Sequence, residues 1–262
     1  MQALRTAATG MSAQQLNVDL ISNNIANMNT VGFKRQRAEF QDLLYQTLEM
    51  PGAQSSDQGT VVPTGVQIGA GVKAGSTYRI HQQGSLTRTD NPYDLAIGGR
   101  GFFQVQMPSG EIGYTRAGNF SVNNEGLLVT EDGYAIEPAI NVPADATNVS
   151  ISKTGQVQAA TAGQTEPQVL GQLELATFVN EAGLMAIGDN LYLETTASGA
   201  ATVGAPGAEG VGDLIQGHIE SSNVDAVSEI TALIVAQRAY EMNSKVISAA
   251  DEMLQTANQV SR

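Results

Sequence analysis

Apolar residues recur along the first 28 positions at alternating steps of three and four: Leu4, Ala7, Met11, Val18, Ile21, Ile25 and Met28, with Gln14 the polar exception. A seven-residue period keeps one seam turned towards another helix. It predicts a helix over residues 1–28, about 42 Å long at 1.5 Å per residue. The far end repeats the rhythm with Val235, Ala239, Met242, Val246, Ala249, Met253, Thr256 and Val260, flanked by Ile247, Ala250, Leu254 and Ala257. That stripe predicts a second helix over 223–260, about 57 Å long. A stripe at helical spacing usually means a helix lying on its own core. Chain ends, however, are ordinarily the least apolar part of a domain. Two such stripes at the extremes therefore point to each other, and to copies in neighbouring molecules, as partners.

Between the helices the period falls to two. Phe103, Val105 and Met107 alternate with glutamines, turn at Pro108-Ser109-Gly110, and resume at Ile112 and Tyr114. Further turns are expected at Asn123-Asn124-Glu125-Gly126, Glu131-Asp132-Gly133 and Lys153-Thr154-Gly155, with strands up to Leu193. Residues 38–48 are apolar at mixed spacing and fit either a helix or an extended arm. Residues 53–65 read as a loop, residues 195–213 as a Gly/Ala-rich linker or loop, and Leu214 to Ile219 as a final strand. Ser222 and Asp225 have the spacing of a capping box. The fold class expected is α+β: terminal heptad helices forming a coiled-coil-type core, with an intervening antiparallel β domain. The divisions are 1–45 (first helix and exit arm), 46–65 (insert), 66–194 (β-rich body), 195–213 (linker or loop) and 214–262 (final strand and second helix).

At the end of the first helix, Asn23, Asn24 and Asn27 are poor helix formers whose amides compete for backbone hydrogen bonds. They are read as fixing the helix end, with Thr30 and Gly32 shaping the exit and Phe33 packing back. Lys34-Arg35-Gln36-Arg37 reads as a solvated basic knot.

Net charge changes the picture of partners. Residues 1–119 carry a net +1, residues 120–237 a net −14 and the last 25 none. Nearly neutral ends suit close packing of many copies, and an acidic middle stays solvated, which also disfavours nucleic acid. A chain of 262 residues, 42% hydrophobic, can bury a core, yet it has no apolar run of 18 to span a membrane. Its start lacks the features of a cleaved secretory signal. Cysteine is absent, which removes disulfides and thiolate chemistry together.

Catalytic chemistry finds no carrier. Gly69-Ala70-Gly71 has dinucleotide-type glycines, but a strand-like segment follows where the pyrophosphate site needs a helix. His81 and His218 are far apart and lack companion ligands. Asp90 with Asp94, and Glu131 with Asp132, are turn residues without the ligand spacing of a calcium loop. No Gly-x-Ser-x-Gly elbow occurs. No enzyme activity, cofactor or metal is expected.

Asn24-Ile25-Ala26-Asn27, Thr30 and Gly32-Phe33-Lys34 resemble the N-terminal signature of bacterial flagellar rod and hook proteins. Ser222-Asn223-Val224-Asp225, Leu233-Ile234, Gln237-Arg238-Ala239-Tyr240-Glu241 and Asn243-Ser244-Lys245 are similar to that family's C-terminal element. Gly98-Gly99-Arg100-Gly101-Phe102-Phe103 and Tyr114-Thr115-Arg116-Ala117-Gly118-Asn119-Phe120 resemble its middle. Total length and the segment between Tyr45 and Gly65 are most like the distal rod member. The resemblance implies export unfolded through the flagellum's own apparatus and helical self-assembly in the periplasm. It also implies contact with other rod and hook subunits, the rod cap and ring or bushing proteins. The assembly seams would be Leu4, Met11, Val18, Ile21, Ile25 and Met28 in one helix, and Val235, Met242, Val246, Ala249, Met253 and Val260 in the other. The helices would then order on assembly. Alternatives are another rod or hook subunit, or a coiled-coil surface adhesin with a β head.

Overall fold

A computed structural model describes residues 2–50, 52, 64–161 and 166–260. The chain forms two units: Met1–Ile25 with Gln36–Tyr78 and Ala226–Arg262, and Ala26–Arg35 with Arg79–Asp225.

The first unit holds both long helices, α1 (Gln2–Ala26) and α2 (Ala226–Val260). A methyl added at Gly10 would stand 2.9 Å from the Asn243 amide. Nearer the other end of α1, the Asn24 amide donates to Glu229 Oε2 at 3.2 Å. Advancing along α1 thus means retreating along α2, so the pair is antiparallel. On α1, Ala7, Ala13, Ile21 and Asn24 are buried, and Leu4, Met11, Val18 and Ile25 half-buried. On α2, Glu229, Ala236 and Ala250 are buried, with Ala232, Leu233, Ala239, Asn243 and Ile247 half-buried.

That inner face of α2 is one residue out of step with the heptad of large apolar residues. Small side chains let the helices approach closely, as Gly10 does against Asn243. Val235, Met242 and Met253 point away and are 63%, 60% and 66% exposed. The stripes of the single chain do meet, but on the small-residue face. Helix α1 stops at Ala26, so Met28 lies beyond it, 39% exposed. The side chain of Val260 lies outside the described residues.

Residues 38–48, open between helix and arm, are extended: Gln36–Asp42 pairs with Val72–Arg79, and Tyr45–Glu49 runs antiparallel to Val66–Gly69. Residues 53–63 of the expected insert lie outside the described residues. The strand following Gly71 explains the dinucleotide-like glycines differently. Gly71 has φ +122°, a Cβ there would collide with the Thr9 hydroxyl, and that hydroxyl accepts the Val72 N–H at 3.3 Å. The glycine lets the turn rest on α1.

The second unit is built on a nine-stranded antiparallel sheet centred on Phe102–Gln106. One side of this strand pairs with Ile112–Thr115; the other is shared by Leu175–Thr177, opposite Phe102 and Phe103, and Ala135–Glu137, opposite Gln104 to Gln106. Both faces of the strand are covered. Phe103 and Val105 enter a core with Leu95, Ile97, Leu128 and Ile136, while Phe102 joins Tyr114, Phe178 and Tyr192 on the opposite face. A further three-stranded sheet comprises Ala146–Ile151, Gln156–Thr161 and Gln168–Gln172.

Residues 195–213, expected as a linker or loop, are mostly outside strands but hold one short strand. Thr202–Gly204 pairs with Leu175–Thr177, and Ser198 is buried, because small residues can still form a ladder along an existing edge. The final strand is two: Asp213–Gln216 pairs with Leu95–Gly98, and His218–Glu220 with Leu86–Arg88.

Candidate assembly interface

Two of the asparagines near the end of α1, Asn24 and Asn27, bond the backbone and side chains that follow it. Asn24 donates to the Gln36 carbonyl at 2.9 Å and accepts the Gln36 N–H at 2.9 Å, so one amide satisfies both backbone polar groups of Gln36 in the returning strand. Its remaining donor hydrogen is the one that reaches Glu229. Within the second unit, Asn27 accepts the Thr30 hydroxyl at 3.2 Å, and the Thr30 N–H bonds the Asn27 carbonyl. Gly32 has φ +70°, and a Cβ there would lie 2.6 Å from the Ala117 backbone nitrogen. Only glycine fits that left-handed, crowded position. Phe33 is buried.

Lys34 corrects the solvated basic knot: it is fully buried. Its Nζ donates to Glu220 Oε1 at 2.6 Å and to the Gln82 carbonyl at 2.9 Å. Arg116 binds the other carboxylate oxygen through Nε at 3.0 Å and Nη2 at 2.9 Å, and gives Nη1 to the carbonyls of Gly99 and Gly101. The Gly84 N–H completes the shell of Oε1 at 2.8 Å. Burial lowers the Lys34 pKa, Arg116 adds to the fall, and Glu220 opposes it. Asn223 adds a second tie, accepting the Arg35 N–H and donating to the carbonyls of Ile80 and Gln82. The exit segment 32–35, the stretch 80–84 and the return segment 220–223 therefore form one clasp. Sequence pattern could not show it, since Lys34 and Glu220 are 186 positions apart.

From Leu233 onward the C-terminal signature lies on α2. Gln237, Tyr240 and Glu241 line a groove of about 420 Å³ with Gln15 and Val18 of α1. Arg238 is exposed and pairs with Glu241 at 3.3 Å. Ile25 and Ala26 close α1. Of the expected seams, Ile21 is buried within the chain and Leu4, Met11, Val18 and Ile25 are partly covered, whereas Val235, Met242, Val246, Ala249 and Met253 are uncovered. Val227, Ile230, Ile234 and Leu254 add to the exposed apolar surface of this helix.

A helix pair whose α2 leaves Val235, Met242, Val246 and Met253 exposed, and a β unit fastened by buried ion pairs, have the character of a structural subunit. Family models agree. Residues 4–34 match the flagella basal body rod protein model, residues 96–159 the flagellar hook protein FlgE/F/G D1 domain, and residues 215–260 the flagellar basal body rod FlgEFG protein C-terminal model. The chain is 68% identical to flagellar basal-body rod protein FlgG of Caulobacter vibrioides, covering 99% of each. It is 53% identical to FlgG of Agrobacterium fabrum, over 97% of each chain, and 50% identical to FlgG of Buchnera aphidicola subsp. Acyrthosiphon pisum, over 98% of this chain and 99% of that one. This chain belongs to the flagellar basal-body rod proteins and, within them, is most like FlgG. It is a structural protein, not an enzyme.

Proposed function

We propose that this rod subunit belongs to the distal rod and polymerises helically into a rigid hollow axle that carries torque from motor to hook. The observation that carries the reading is the unpartnered outer row of α2: Val235, Met242, Val246 and Met253. A different face of α2, with Ala236 and Ala250 buried, already pairs with α1, so these residues are free for neighbouring copies. Each is worth roughly 1.5–3 kcal/mol on full burial, enough over several seams to offset the entropy of association. The Gln46 to Gly65 segment supplies a further contact, because Leu48, Met50, Val66 and Ile68 beside it are also exposed. No helix among the described residues is long and apolar enough to cross a membrane. Export by the flagellar apparatus into the periplasm, and contacts there with other rod and hook subunits, the cap and ring proteins, complete the proposal.

Electron microscopy of the concentrated, purified chain tests it. Straight tubes are expected from wild type and from Met242→Leu. Met242→Asp should give none, because a seam would bury an unpaired charge, while the monomer, where Met242 is exposed, keeps its stability within about 0.5 kcal/mol. Tubes of normal yield from Met242→Asp would remove the outer row of α2 from the assembly.

A further inference from the structure

His81 lies in the stretch Ile80–Gly84, which belongs to no paired strand and is held by the clasp and by the Gln83 side chain, which donates to the Ile97 carbonyl at 3.2 Å and accepts the Gly99 N–H at 3.1 Å. Its ring stands edge-on to Phe102 at 5.6 Å and to Tyr192 at 5.7 Å, and its buried Nδ1 has no hydrogen-bond partner. The charged and titratable groups around it come from five elements. Arg79 ends the strand before it, with its guanidinium 5.6 Å from the Tyr192 ring centre. Lys34 comes from the exit segment, Arg116 follows the strand Ile112–Thr115, Glu220 comes from the return strand and Tyr192 from Leu191–Leu193. Phe102 brings no charge. One carboxylate thus already serves two buried cations, and an imidazolium would add another positive charge with no carboxylate left to take it.

We propose that His81 makes Ile80–Gly84 an acid-released latch: protonation of its ring expels it from the aromatic wall and frees the exit and return segments that this stretch holds together. Burial first, then Lys34, Arg116 and Arg79, push the His81 pKa down to about 4 from 6.5. The unfolded or opened chain takes the proton first as pH falls through 6.5, and the closed latch takes it only near 4. Closure therefore has its full strength above pH 6.5 and weakens down to about pH 4, by about 300-fold in all. Opening is local because residues 80–84 hold no ladder of their own, whereas Phe102 and Tyr192 sit within the large sheet.

The test is amide exchange in the full chain, with wild type and His81→Phe compared at pH 7.5 and 4.5. In wild type the protection of the Ile80 and Gly84 amides, relative to amides of Phe102–Gln106, should fall on the order of 100-fold. In His81→Phe it should change about 2-fold at most, because the ring that takes the proton is gone while Glu220 is common to both proteins. Equal losses in the two proteins would overturn the proposal. The wild-type ring titration decides independently should the variant fail to fold. The chain has only two histidines, so the His81 ring proton is readily assigned, with a midpoint near 4 expected. A midpoint near 6.5 would also overturn it.

Discussion

Glu220 is the hub of the clasp, and its neutralisation should cost far more than loss of Lys34. Glu220 accepts Lys34 and the Gly84 N–H on one oxygen and two guanidinium nitrogens of Arg116 on the other. In Glu220→Gln, Lys34 and Arg116 remain buried with carbonyl partners only, and the new amide turns donor hydrogens towards one of them. Breaking a buried pair from one side costs about 3–5 kcal/mol. In Lys34→Met the carboxylate keeps Arg116 and Gly84. One charge-assisted bond worth about 1.5–3 kcal/mol is lost, but the burial penalty that depresses the Lys34 pKa is lifted too. A net loss of about 1–2 kcal/mol remains. Urea unfolding read by near-ultraviolet circular dichroism reports the second unit, where Tyr114 and Tyr192 are buried. A gap of about 2–3 kcal/mol between the variants is expected. Equal losses, or a larger loss for Lys34→Met, would refute the hub assignment.

Asn24→Ala should cost about 2–3 kcal/mol, since it strands the backbone N–H and carbonyl of Gln36, and exchange of the Gln36 amide should accelerate accordingly. Asn24→Asp should be worse at pH 7, where a second carboxylate would stand beside Glu229, and should recover in acid; a pH series of thermal melts checks this. Gly32→Ala combines φ +70° with a 2.6 Å clash against the Ala117 backbone. It should lower stability by more than about 2 kcal/mol in urea titrations.

Much of the architecture is written locally. The two heptads mark α1 and α2 to within about three residues at each end, and four turn motifs with glycine at positive φ separate strands where expected: Gly110, Gly126, Gly133 and Gly155. The asparagines closing α1 were legible because their cost within a helix needs a compensating role. Nothing local, by contrast, tells Lys34 from Arg37. One is fully buried and the other exposed, because Glu220 and Arg116 arrive from remote strands. Strand order around Phe102–Gln106 is non-local in the same way, and two covered faces cannot be inferred from a strand that alternates phenylalanine and valine with glutamine. The one-residue offset on α2 has a different cause. A hydrophobic period is read from the largest residues, whereas helices approach closest on the smallest.

That offset has an energetic consequence for an assembling subunit. Burial of Ala236 and Ala250 contributes on the order of 0.8 kcal/mol per methyl, while Val235, Met242, Val246 and Met253 could each contribute two to three times as much. Had Val235, Met242, Val246 and Met253 faced α1, the single chain would have buried more of its own apolar surface, and a neighbour would have found less to bind. With Ala236 and Ala250 inside, the apolar gain of pairing within the chain comes chiefly from Ile21 and the half-buried Leu233 and Ile247, and the bond between Asn24 and Glu229 adds to it. Most of the apolar free energy of α2 is then released only when another surface covers it. Exchanging the two faces, with Ala236→Met and Ala250→Met beside Met242→Ala and Met253→Ala, conserves composition. Such a chain should gain helix content as a dilute monomer, if the larger side chains fit the close crossing, and lose its ability to form tubes. Circular dichroism and electron microscopy on the same sample would measure both, and retained tubes would show that the outer row is not where assembly draws its energy.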